Sequence, residues 1–238
     1  DSRKTAGENP FFTEWDTPHG VPPFDKILPE HFMPAFERGM SLHEAEIDAI
    51  TSNKDEATFE NTILAYDNAG QMLAQTELVF GMLCAAETND RMQALQEQAM
   101  PLLAAHRDKI RLDDKLFVRV KEVYDRRAAL GLDAEQMRLL QKTYDSFVRA
   151  GALLDAEQKA RLKEINGQLS LTAVKFGNNI LAENNNFVLE LKSDELDGLP
   201  AGIRDAAREK AQQMGKGDKW VFTLHKPSLI PLLTYSTR

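Results

Sequence analysis

The residues with the most chemical promise are His43, Glu44 and Glu46, because His43-Glu44-Ala45-Glu46-Ile47 opens like the zinc motif H-E-x-x-H. That motif needs histidines at i and i+4, so that two imidazoles meet one metal from a single helix face while the glutamate acts as base toward the metal-bound water. Ile47 stands at the fifth position and cannot ligate. The other histidines, His19, His31, His106 and His225, supply no pair at that spacing either. His43 therefore reads as a half-buried helix histidine. His106 shares helical spacing with Leu102, Leu103 and Ile110 and reads as a core histidine. Cys84 is the single cysteine, which excludes an intramolecular disulfide and a multi-cysteine zinc site, and it reads as a buried, inert thiol. Gly215-Lys216-Gly217 suggests a phosphate loop only superficially. A Walker loop follows a strand and precedes a helix, whereas these glycines follow a helical pattern and no Gly-Lys-Ser/Thr is present. The sequence thus offers no catalytic residue, no cofactor-binding residue and no metal ligand in this chain.

The elements that would position such residues are clearer. Leu132-Asp133-Ala134-Glu135-Gln136 recurs as Leu154-Asp155-Ala156-Glu157-Gln158. In each copy the Asp accepts from the orphan amides of a helix start and the Gln three residues on reaches back, a variant of the capping box. The first predicted helix carries Met137, Leu140, Tyr144, Phe147 and Val148 on one face and stops near Gly151. The second keeps Leu162, Ile165, Leu169, Thr172, Phe176, Asn179 and Ile180 at helical spacing until Glu183-Asn184-Asn185-Asn186 ends it, on the order of 40 Å at 1.5 Å per residue. Burial of Phe176 in the bundle is the expectation. Beyond the pentapeptide the two segments diverge, which indicates shared capping chemistry and not a repeat array.

Upstream, Pro10, Pro18, Pro22, Pro23 and Pro29 punctuate an extended arm whose Phe11, Phe12, Trp15 and Phe24 are too apolar for a free tail. A helix from Pro29-Glu30 tolerates Pro34 in its first turn and presents Phe32, Phe36, Met40, His43, Ile47 and Ile50. Thr58 caps a helix expected to run to about residue 87 despite Gly70 and Gly81. Asn89 or Asp90 and then Asp113 start two more, the last of them closed by Gly131. After residue 186 the period changes, with Phe187 to Leu191 and Trp220 to Leu224 reading as strands around a helix from Leu199-Pro200 to Ala211. Pro227-Ser228 begins a further helix that Arg238 cuts off. The predicted fold is mainly α: an antiparallel helical bundle with a small β-containing segment at the C-terminal end. Residues 1–28 form the arm, packed on the body; residues 29–186 form the bundle; residues 187–238 form the strand-helix-strand segment and a truncated helix.

At 238 residues and 42% hydrophobic content the chain can bury a substantial core. A net charge of -8, with no dense Lys/Arg run, makes nucleic acid a poor partner. No apolar run reaches the roughly 18 residues that a membrane span needs. The chain starts with Asp1 and not Met, so a leader removed before it is open, and the compartment stays between cytoplasm and periplasm.

Five blocks, taken in order, carry a resemblance that spacing alone does not supply: Asn9-Pro10-Phe11-Phe12, Ile27 to Phe36, Thr58-Phe59-Glu60-Asn61-Thr62-Ile63, Phe147 to Ala152, and Phe222 to Ser228. Together they resemble the N-terminal portion of the bacterial peptidyl-dipeptidases, members with oligopeptidase A of the thimet-oligopeptidase-like zinc metallopeptidases. The resemblance implies a longer parent, a mostly helical clam-shaped fold around a deep channel, oligopeptide substrates shortened by C-terminal dipeptides, and zinc ligands beyond this chain. It also implies a catalytic C-terminal half as the partner of this region, which would supply one channel wall. A related endopeptidase of the same family and a free-standing helical interaction module are the competing readings.

Overall fold

Short-range chemistry sets the helix starts, and the computed structural model, which describes residues 9–237, shows it at work. Asp133 Oδ1 accepts from the Gln136 amide at 2.8 Å while Gln136 Oε1 accepts from the Asp133 amide at 3.1 Å. The second copy repeats this at Asp155 and Gln158, at 2.8 and 3.2 Å. Thr58 and Asn61 form a third reciprocal pair, and Asn89 and Asp113 cap singly by accepting from Met92 and Leu116. Each exchange satisfies amides that a helix start otherwise leaves without partners.

The elements run as α1 (Phe32–Ser52), a wide π-type turn (Phe59–Leu64) continuing into α2 (Ala65–Asp67), then α3 (Gln71–Ala86), α4 (Asp90–Arg111), α5 (Asp114–Asp125), α6 (Ala134–Arg149) and α7 (Ala156–Asn186). After these come β1 (Leu189–Leu191), α8 (Ala201–Gln213), β2 (Trp220–Phe222) and α9 (Lys226–Tyr235). The strands pair antiparallel with Leu189 opposite Phe222 and Leu191 opposite Trp220. The architecture is mainly helical with a small sheet near the C-terminal end, as the sequence predicts. Contacts group the chain into two units, the first ending at Val174 and the second starting at Lys175.

The first unit holds two apolar clusters. In one, Phe80 meets Phe32 tilted at 4.9 Å and Phe36 edge to face at 5.3 Å, with Phe11 of the arm 5.3 Å from Phe32. In the other, Leu116, Val120, Leu140 and Phe147 bring α5 and α6 together beneath Ile63 and Tyr66. Two buried cations brace the linkers around that second cluster. Arg119 donates to the carbonyls of Asn53 and Asp55 and to Asn61 Oδ1, at 3.0 to 3.2 Å, while Lys159 meets Asp114 and the Leu112 carbonyl. In the second unit Leu196, Leu199, Ala207, Phe222 and Leu232 form a smaller core.

Several expectations need correction. The helix capped by Thr58 does not run through to residue 87; it breaks at Gly70, where φ is +75°. The Gly70 amide donates to Glu46 Oε2 at 2.7 Å, and a Cβ at this position would fall 2.7 to 2.9 Å from the His43 ring, so only glycine permits this turn against α1. Helix α5 ends at Asp125, and a short 3-10 turn, Arg127–Ala129, intervenes before Gly131. Leu102 is exposed because the buried stripe of α4 follows Met92, Ala99, Leu103, His106 and Ile110. Phe24 is also exposed, although Phe11 is buried and the Trp15 indole donates to the Pro10 carbonyl. Cys84 is half-buried, not enclosed. The largest error concerns Phe176, which is 65% exposed: the buried side chains of α7 are Lys159 and Val174, so helical spacing there does not translate into burial. Residues 1–8 of the expected arm and Arg238 lie outside the described residues.

Candidate functional site

The sequence treats His43 and His106 as unrelated, and the packing of α1 on α4 brings them into contact. His106 Nε2 lies 3.1 Å from His43 Nδ1, so one nitrogen donates and the other accepts. His106 Nδ1 is 3.5 Å from Glu44 Oε1, an electrostatic contact without hydrogen-bond geometry, and Glu44 Oε2 takes the Lys109 ammonium at 2.7 Å. Burial lowers the pKa of both histidines from the ordinary value; for His43 the neighbouring His106 adds to this, while Glu46 and Glu44 oppose it. Glu44 is held below the ordinary carboxylate value chiefly by its bond to Lys109. The lowered values favour the uncharged imidazoles, and the hydrogen bond between them ties α1 to α4. Among the described residues no group of three or more His, Cys, Asp or Glu side chains is arranged to hold a metal ion.

The remaining candidates stay apart. His31 turns back on its own segment, its Nδ1 accepting from the Leu28 amide at 3.1 Å, and His225 precedes α9. Lys216 pairs with Glu190, and Gly215 closes α8 with φ of +70°, which is helix-stop geometry and not a phosphate loop. Burial raises the Cys84 pKa, so the thiol is disfavoured as a nucleophile.

A more extensive feature surrounds the C-terminal end of α4. A cavity of about 490 Å³ separates α4 from the first half of α7 and is lined by Met100, Ala104 and Arg107 on one side and Leu169, Ala173 and Val174 on the other, with Arg111 at its end. Asn166 bridges the two helices by donating to Asp108 Oδ1 at 2.8 Å. Leu169 is 62% exposed, so the apolar wall faces open space. Arg111 also borders a second cavity of about 490 Å³, walled by Arg138, Lys142, Asp145, Ser146 and Arg149 of α6. The spacing of those α6 residues sets them on one helix face, opposite the buried Leu140 and Phe147. Sequence reasoning found no dense basic run because these cations are dispersed by helical periodicity; the signal that would have found them is the i, i+4, i+11 pattern beginning at Arg138.

The chain is 37% identical to the dipeptidyl carboxypeptidase of Escherichia coli (strain K12) over 97% of its own length and 34% of that protein. It is 35% identical to the dipeptidyl carboxypeptidase of Salmonella typhimurium, again over 97% of the chain and 35% of the relative. To oligopeptidase A of Escherichia coli it is 24% identical over 92% of the chain and 32% of the relative. No protein-family model matches the chain. The likeness extends through both structural units, and in each case the chain spans about a third of the relative's length. Along almost its whole length the chain is thus similar to part of the dipeptidyl carboxypeptidases and, at lower identity, to part of oligopeptidase A.

Proposed function

We propose that the chain is a non-catalytic region of a longer zinc metallopeptidase that releases C-terminal dipeptides from oligopeptides, and that it forms one wall of the channel in which the substrate lies. The observation that carries this reading is the graded likeness, 37% identity to a dipeptidyl carboxypeptidase against 24% to an oligopeptidase A, each over more than nine-tenths of the chain. That gradient favours dipeptide release over internal cleavage.

In this reading the metal is held by residues outside this chain. His43 and His106 do not fit it, since their facing nitrogens are engaged with each other, Glu44 is drawn to Lys109, and the Gly70 turn leaves no room for even a Cβ beside the His43 ring. What the chain contributes is position. A helical wall excludes folded proteins and helps strip water from a bound peptide. Holding a scissile bond in a reactive geometry can lower a barrier by on the order of several kcal/mol.

The test is made on the longer protein that contains this chain. Incubation with an N-blocked tetrapeptide, followed by mass analysis, should show the C-terminal dipeptide as the product, lost on zinc chelation and restored by zinc. The same protein lacking residues 1–186 should keep its zinc and lose turnover. Near-normal kcat/KM in the truncated protein would sink the wall, and purely internal cleavage would move the assignment to the endopeptidase branch. The 238-residue chain alone should cleave nothing and retain no stoichiometric zinc after dialysis; one tightly held zinc that depends on His43 would defeat that part.

A further inference from the structure

We propose that the cleft between α6 and the end of α4 is a docking site for acidic oligopeptides. Four cationic side chains, Arg111, Arg138, Lys142 and Arg149, converge on one cavity that contains a single carboxylate, Asp145, in a chain whose net charge is -8. Asp145 already accepts from the Gln141 side chain at 2.9 Å. None of Arg138, Lys142 and Arg149 takes part in an ion pair within 4.0 Å among the described residues. Their charges are therefore left to a ligand, and like charges gathered on one face attract an anion more strongly than any one of them alone.

The shape of the site selects a peptide over a small anion. From Arg138 to Arg149 the stripe rises roughly 16 Å at 1.5 Å per residue, the reach of about five residues of extended chain. Arg111 links this stripe to the neighbouring cavity, where Met100, Leu169 and Val174 supply an apolar wall. A segment that alternates carboxylates with aliphatic side chains satisfies both cavities at once, whereas inorganic phosphate uses only the charge. Guanidinium groups also suit carboxylates, which they can bind through two parallel N–H bonds. The choice of a peptide as carrier of the negative charge rests on the reading of the parent as an oligopeptide-cleaving enzyme. Binding is measured without catalysis, so its failure is distinguishable from failure of the dipeptide-release assay.

The experiment is a calorimetric titration of the 238-residue chain at low salt with an N-acetylated peptide of alternating leucine and glutamate, the same peptide with glutamine for glutamate, and inorganic phosphate. The acidic peptide should bind at least about tenfold tighter than its glutamine counterpart, with the affinity falling as salt is raised. A chain carrying both Arg138→Gln and Lys142→Gln should lose about tenfold in affinity for the acidic peptide. Arg91→Gln, at the far end of α4 where Arg91 pairs with Glu30, should lose none. Should the double variant fail to fold, Arg149→Gln alone should show the same direction. The proposal is overturned if both peptides bind alike, if phosphate binds and the acidic peptide does not, or if the cleft variants leave the affinity unchanged.

Discussion

Helices α6 and α7 open with the same five residues and the same reciprocal cap, yet they meet opposite fates. In α6 the apolar stripe is enclosed: Leu140 and Phe147 are 0% exposed, with Phe147 stacked 6.1 Å from Phe117 and tilted against Tyr66 at 5.2 Å. In α7 the corresponding stripe is open, and Leu169, Phe176 and Ile180 all face outward. The comparison separates two decisions that sequence periodicity merges. Where a helix starts is settled within four residues, by whichever side chain satisfies the first amides. Which of its faces is buried depends on partners distant in sequence, and α6 has α5 and the Phe59–Leu64 turn against it.

The sharpest way to break the comparison is Phe147→Ala. Removing a ring from a fully enclosed site should destabilise the chain by about 3 to 5 kcal/mol, through lost transfer energy and the cavity left behind. Urea melts would read it, and a loss under about 1 kcal/mol would mean that the α5–α6 core collapses easily around the gap.

Acid tests the enclosed side in a different way. Because burial lowers the pKa of His43 and His106 below 6.5, the folded chain binds protons more weakly than the unfolded chain. Stability should be flat above the unfolded value, fall as pH drops through 6.5, and go on falling until the folded values are passed. Glu44 adds a loss in the same direction at lower pH, since its folded pKa is depressed from 4.5. Melts between pH 7.5 and 5.0 should show the slope, and His106→Gln should reduce it; an unchanged slope in that variant would remove the histidine pair as its cause.

The shared caps give the next effect. Asp133→Ala and Asp155→Ala should each cost about 1 kcal/mol, and by nearly equal amounts, because the two bonds have the same geometry. A several-fold difference between them would show that α7 is held by something other than its start. The smallest effect belongs to Phe176→Ala, expected within about 0.5 kcal/mol for an exposed ring. A loss approaching that of Phe147→Ala would mean that the α7 face is covered in solution.

The sequence by itself determined the helix starts at Asp113, Asp133 and Asp155, the change of period after residue 186 and the likeness to peptidases. Caps act over three residues and strand alternation over two, so one stretch of chain contains the whole interaction. The meeting of His43 with His106, separated by 63 residues, was decided only by the tertiary structure. So were the turn at Gly70, the burial of Arg119 and Lys159, the exposure of Phe176 and the gathering of four cations at the end of α4. Helical spacing limits which side chains share a face. Whether that face meets a neighbouring helix, a cation or open solvent depends on how distant segments pack, because burial and electrostatic attraction act through space and not along the chain.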